Sequence, residues 1–273
     1  MTDLDGTLLR TDGTFSYRDL EALESLGRRG IKTAVATGRS LYSFRNSPGA
    51  KLPVDYVIFT TGAGIVTQPE HKLLFRLNLT IEMVTRAMVF MKNSALDFML
   101  HHPVPDNHKY VYRQVNRHNQ DFDSRISRYR EFGQALESMQ DKGFGEAAQF
   151  LAVVPCNMTR DALTEMRNGL PFLSVIRATS PLDHKSAWIE CFHADVSKGK
   201  TAAWLANTLN VDPVDTMAVG NDYNDQDLLE WATHAYVVEN APVELKKQFQ
   251  QVASNNNAGV AEAVNRWLDG RAR

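Results

Sequence analysis

Asp3-Leu4-Asp5-Gly6-Thr7-Leu8-Leu9 places two carboxylates one residue apart and follows them at once with Gly and Thr. In an extended strand, residues i and i+2 share a face. A strand ending here therefore leans Asp3 and Asp5 into one site beyond its tip. Carboxylates this close repel each other unless a cation or a shared proton lies between them. The stretch points to a metal, an acid/base task, or both, although Asp-Gly-Thr alone is also good turn chemistry.

Outward from this point the chain alternates. After a second turn at Thr11-Asp12-Gly13-Thr14, Ser16 is placed to N-cap a helix carrying Leu20, Leu23 and Leu26 and ended by Gly30. A short strand, 31–36, stops at Thr37-Gly38-Arg39-Ser40, and a helix then gives way near Pro48. A buried strand at 54–59 ends in the small-residue turn Thr60-Thr61-Gly62-Ala63-Gly64. Strands alternating with helices, with polar turns after the strands, predict a parallel α/β sheet of Rossmann-like type. Ligands of such sheets bind beyond the carboxyl ends of the strands.

From about residue 80 the rhythm changes. Helices are expected at 81–92, 123–137 and 159–167, and strands near 97–102, 109–115, 148–154, 173–179 and 187–192. Hairpins of this kind build an antiparallel α+β layer, which predicts a second domain, 81–185, inserted into a core made of 1–80 and 186–273. The first rhythm returns with Ser197-Lys198-Gly199-Lys200 before a helix bearing Ala202, Leu205 and Leu209. It continues with the strand 216–219, the turn Gly220-Asn221-Asp222-Tyr223-Asn224-Asp225 and a helix with Leu228, Leu229 and Trp231.

Composition narrows the class. The 273 residues are 43% hydrophobic and 23% charged, with 30 basic and 32 acidic side chains, the profile of an ordinary globular protein. With a net charge of -2 and no long basic run, a nucleic-acid partner is not expected. Cys156 and Cys191 are too few for a disulfide scaffold. No signal pattern and no bilayer-length apolar run occurs, so a cytoplasmic protein without a membrane partner is expected. His101, His102, His108 and His118 fit no clean ligand spacing.

Four strand-end segments thus bring polar groups to one sheet edge: Asp3 with Asp5, Thr37, Lys198, and the acidic turn 221–225. Together they meet the needs of phosphoryl transfer. A carboxylate can serve as nucleophile, a hydroxyl and an ammonium can bind phosphoryl oxygens, and further oxygens can hold Mg2+. With DLDGTLL, ATGRS, SKG and GNDYND in this order around a long insertion, the chain resembles the Cof-like (type IIB) phosphatases of the haloacid dehalogenase superfamily, over essentially its whole length.

That resemblance implies a HAD-like core with an α+β cap and a Mg2+-dependent hydrolase of a small phosphate ester, a sugar phosphate or cofactor-like phosphate. Asp3 would be the nucleophile and Asp5 the acid/base. Thr37 and Lys198 would hold the phosphoryl group, Gly38, Arg39 and Asn224 would meet substrate, and Asp3, Asp5, Asn221, Asp222 and Asp225 would surround the metal. Two departures stand out: Asn221 replaces the usual Asp, and Thr61-Gly62-Ala63 replaces Asn-Gly-Ala. The rival readings are a phosphomutase or phosphotransferase, a phosphoacceptor signalling module, and a silent phosphate-binding protein. A monomer or weak homodimer is expected. Only Met1 and Thr2 precede Asp3, where a central strand normally has about five residues, so strand residues upstream of the given sequence are expected.

Overall fold

The computed structural model describes residues 1–116, 118–136 and 144–271. These fall into two compact units, Met1–Arg76 with Ser197–Arg273, and Leu77–Val196. The first join lies close to its expected place. The second lies at 196/197 instead of 185/186, because the strand beginning at Ala187 pairs with strands of the second unit.

In the first unit, α1 (Tyr17–Arg28), β1 (Ala34–Ala36), α2 (Leu41–Arg45), β2 (Tyr56–Phe59), β3 (Gly64–Thr67) and β4 (Leu73–Arg76) follow in order. β1 and β2 are parallel, as the Rossmann-like reading expects, and β2, β3 and β4 add an antiparallel extension, so the sheet is mixed. The cause is the turn at Thr60–Gly62, where Thr60 and Thr61 both adopt φ near 52° and reverse the chain.

The second unit contains α3 (Ile81–Asn93), β5 (Asp97–His101), β6 (Tyr110–Arg113), α4 (Gln120–Arg128) and β7 (Gly133–Ala135). It continues with β8 (Gln149–Val154), α5 (Thr159–Gly169), β9 (Leu173–Thr179) and β10 (Ala187–His193). Its sheet has the order β7-β6-β5-β8-β10-β9. β8 is buried at every position, which explains its unbroken apolar run. One expectation fails: the helix proposed for 123–137 ends at Arg128. The chain leaves helical geometry at Tyr129 and then pairs parallel with β6. Glu137, its expected end, lies outside the described residues.

The first unit resumes with α6 (Lys198–Thr208), β11 (Met217–Gly220), α7 (Gln226–Trp231), β12 (His234–Val238), α8 (Val243–Lys246), β13 (Gln250–Val252) and α9 (Gly259–Arg271). β13, parallel to β12, was not legible as a strand in Gln250-Gln251-Val252. Leu205, Leu228, Leu229 and Leu245 pack with Ile58, Ile65 and Val237 of the sheet in one buried cluster. Each such side chain contributes about 1.5–3 kcal/mol by leaving water.

Thr2 joins the two sheet halves, bridging parallel to Val35 of β1 and Val219 of β11. Thr2 N donates to Ala34 O (3.0 Å), Ala36 N to Thr2 O (2.9 Å), and Asp3 N to Val219 O (2.9 Å). The backbone carrying Asp3 is therefore held from both sides at the middle of the sheet.

Asp19 ties α1 to α9. Its Oδ1 accepts from Ala261 N at 2.7 Å, in the first turn of α9, while Oδ2 is buried without a partner. Burial raises the Asp19 carboxyl to about 6, against the pull of the Ala261 hydrogen bond. A raised carboxyl binds its proton more tightly folded than unfolded, so its contribution is full at acid pH and lost as pH rises through the folded value. Comparing wild type with Asp19→Asn in urea unfolding from pH 3.5 to 7 checks this. The variant lacks a fall in stability of a few kcal/mol that wild type shows between about pH 4 and 6.

Candidate active site

Lys198 is the first residue of α6, and its ammonium is fully buried. Ser197 N-caps the helix by accepting from Lys200 N at 3.2 Å. Lys198 Nζ donates to Asp3 Oδ1 at 2.7 Å and to Asp225 Oδ1 at 2.6 Å. Three residues distant in the sequence thus form one ion triad, with one cation for two carboxylates. Burial alone would lower Lys198, but the charges of Asp225 and Asp3 outweigh it and hold the ammonium above its ordinary range. Burial first, and the Asp225 charge second, push the Asp3 carboxyl up to about 7 against the pull of Lys198.

Asp225 Oδ2 accepts from the backbone N–H groups of Asn221 (2.8 Å) and Asp222 (3.0 Å). Both Asp225 oxygens are therefore engaged, one by Lys198 and one by its own turn. Asp222 closes a capping box with Asp225, so its carboxylate serves the turn as well. Asn221 is the turn side chain that faces the first motif.

The Asn221 amide can present either atom to that motif. With oxygen inward, Oδ1 accepts from Thr7 Oγ1 at 2.9 Å and confronts Asp3 Oδ2 at 3.0 Å and the Asp5 carbonyl at 3.1 Å. Rotated, its nitrogen lies within donating distance of all three, with two N–H groups to share among them. Adjacent oxygens on an octahedral Mg2+ with bonds of 2.0–2.1 Å lie about 2.9 Å apart. Asn221 Oδ1 stands at such separations from one carboxylate and one carbonyl oxygen, the donor chemistry that a hard cation takes. Gly6 makes the approach possible: its φ is +81°, and a Cβ there would lie 2.6 Å from Asn221 Nδ2.

Asp5 points its carboxylate elsewhere. Arg39 grips it in bidentate fashion, Nε to Oδ2 at 2.8 Å and Nη2 to Oδ1 at 2.6 Å. The Arg39 backbone is fixed by Thr37 Oγ1, which accepts from Arg39 N at 3.1 Å, and by Thr60 N donating to Arg39 O at 2.8 Å. Thr37 is fully buried just after β1. Gly38 lies beside Thr61 and Asn224, whose side-chain atoms would stand 3.5 and 3.8 Å from a Cβ there. Every expected site residue therefore lies in the first unit, on turns following β1 and β11, on the first motif, or at the start of α6.

Residues 1–264 match the family of haloacid dehalogenase-like hydrolases. The chain belongs to that family. It is 24% identical over 292 residues to the 5-amino-6-(5-phospho-D-ribitylamino)uracil phosphatase of Bacillus subtilis (strain 168), covering 98% of this chain and 97% of that protein. In fold it is similar to a phosphatase of this superfamily from Bacteroides thetaiotaomicron, with TM-score 0.78, 19% identity and coverage of 97% and 93%. It is also similar to a subclass IIB sugar phosphatase, with TM-score 0.74, 17% identity and 97% of both chains covered.

Sequence reasoning missed Thr7 and Asp227. Thr7 was visible only as the second residue after Asp5. Asp227, whose Oδ2 accepts from Gly199 N at 2.9 Å, repeats the i, i+2 spacing of acids after Asp225. His101, by contrast, is buried with Nδ1 2.8 Å from Asn107 O, and Cys156 and Cys191 are free thiols.

Lys198→Met leaves two buried carboxylates facing each other. Urea unfolding should show a loss of about 3–5 kcal/mol near neutral pH, smaller at pH 5, where a shared proton replaces the lost cation. Asn221→Asp adds a negative ligand to the three-oxygen cluster. Calorimetric titration should show Mg2+ binding tightened by roughly tenfold; unchanged affinity would remove Asn221 from the ligand set.

Proposed function

We propose that the chain is a Mg2+-dependent phosphomonoester hydrolase that acts on a small phosphorylated metabolite through an aspartyl-phosphate. The buried Asp3–Lys198–Asp225 triad beside the three-oxygen cluster is the observation that carries this reading. A carboxylate fixed in the middle of a sheet, with a cation at one oxygen and a cation-binding set at the other, is an activated nucleophile for an anionic phosphorus centre. Without those positive charges an anionic nucleophile would be repelled by its substrate. Asp3 Oδ2, the Asp5 carbonyl and Asn221 Oδ1 would hold Mg2+. When bound, it would neutralise charge on the transferring phosphoryl group.

In the first step Asp3 attacks phosphorus, the bond to the leaving oxygen breaks, and Asp5 gives that oxygen its proton. In the second, Asp5 takes a proton from water as the water oxygen attacks phosphorus, and the Asp3–phosphorus bond breaks to release inorganic phosphate. Lys198 and Thr37 hold the phosphoryl oxygens in both steps. Asp5 can do this only after Arg39 lets go, since the resting grip occupies both of its oxygens; once released it takes from water the proton that it gives in the first step and regains in the second. Arg39 is thus read as moving between Asp5 and the bound ester. The polyol phosphate in the name of the Bacillus subtilis relative supports a sugar-like or cofactor-like phosphate as the substrate class.

Hydrolysis of a chromogenic phosphate ester and of a panel of sugar phosphates, with and without Mg2+, tests the reading. Activity requires Mg2+, and Asp3→Asn lowers kcat by about a thousandfold or more. Undiminished turnover by Asp3→Asn would sink it. Transfer to an added sugar in preference to water would identify a phosphotransferase instead.

A further inference from the structure

Asp225 and Asp227 stand two residues apart at the start of α7, and both act on Lys198, one at its tip and one at its root. Asp225 takes the ammonium. Asp227 Oδ2 takes the backbone N–H of Gly199, the residue that follows Lys198, at 2.9 Å. The Ser197 hydroxyl hydrogen-bonds the same carboxylate while its oxygen accepts from Lys200 N at 3.2 Å.

An α-helix leaves its first four N–H groups without intrahelical partners. Ser197 satisfies Lys200, and Asp227 satisfies Gly199 from another element. A carboxylate at this end of a helix is also favoured by the helix dipole. The approach is close: a Cβ on Gly199 would lie 2.4 Å from the Asp227 carbonyl oxygen and 2.8 Å from its Oδ2. Only glycine at this position lets α6 and the start of α7 meet.

We propose that Asp227 is a positioning residue, which locks the first turn of α6 to the acidic turn and so delivers the Lys198 ammonium between Asp3 and Asp225. The lysine side chain is long and flexible, and two carboxylates at its tip do not by themselves fix where its Cα sits. Asp227 and Ser197 fix the Cα end and Asp225 the ammonium end. When Asp3 takes the phosphoryl group, the ammonium must pass from Asp3 Oδ1 to the phosphoryl oxygens while the helix stays in place. A misplacement of about 1 Å at that stage is worth on the order of a hundredfold in rate. The catalytic consequence rests on the phosphatase reading; the geometric role does not.

Lysine side-chain 15N NMR tests the geometry without substrate. Lys198 is the one lysine buried among the described residues, so wild type should show a solvent-protected ammonium signal that Lys198→Arg removes. Asp227→Ala should lose that signal, and Asp227→Asn should keep it, because an amide oxygen still accepts from Gly199 N–H. In ester hydrolysis kcat should fall at least about tenfold in Asp227→Ala and stay within about threefold in Asp227→Asn. A protected signal unchanged in Asp227→Ala would overturn the proposal. So would its equal loss in both variants, the mark of a purely structural carboxylate. A wild type with the signal but no turnover of any ester would defeat the phosphatase reading and leave the positioning role standing.

Discussion

One buried ammonium bridges two carboxylates that the fold brings together, and the first unit depends on that arrangement. Lys198 has no exposure to water and stands 2.7 and 2.6 Å from Asp3 and Asp225. Removing charges from water is costly, and the attraction repays that cost only where the geometry is good and the remaining polar atoms are satisfied. Here they are. Asp225 gives its second oxygen to two backbone N–H groups, and Asp3 turns its second oxygen towards Asn221. Such a cluster is weak evidence for stability in its own right, but it requires the first motif, the α6 start and the acidic turn to meet in a single register.

The sheet supplies the other half of that register. Thr2 and Asp3 bond to β1 on one side and β11 on the other, so the nucleophile candidate inherits the rigidity of the sheet centre. The residues with mobile tasks sit differently. Asp5 and Arg39 are partly exposed, and their contact is a bidentate surface pair with solvent beside it. The site thus combines a part that is locked by burial with a part whose contact stands beside solvent.

Much of this was legible in the chain. The four motifs named Asp3, Asp5, Thr37 and Lys198, and the strand-end rule placed them on common turns. The change of rhythm near residue 80 revealed the inserted unit, whose strands β5, β8, β9 and β10 lie almost where alternation and apolar runs put them. The rest escaped for physical reasons. The β2–β3 hairpin depends on two threonines with positive φ, a conformation that propensity disfavours and only the surrounding turn imposes. β13 is a short edge strand with two exposed glutamines, so no hydrophobic pattern marked it. The end of α4 was hidden because helical periodicity runs on past Tyr129, where pairing with β6 prevails. The hydrogen bonds of Asp222 and Asp225 within their own turn were not legible, because composition cannot say which oxygens a turn engages with its own backbone.

Asn221 gives the site a property that an aspartate would not. An amide offers an acceptor at one face and a donor at the other, so a half-turn converts a cluster of three oxygens into a set of hydrogen bonds to Thr7, Asp3 and the Asp5 carbonyl. A carboxylate in its place would leave the same pocket with unrelieved repulsion whenever the cation departed. The amide lets the protein close this junction with its own atoms: the first motif and the acidic turn are joined by hydrogen bonds that ask for no further charge.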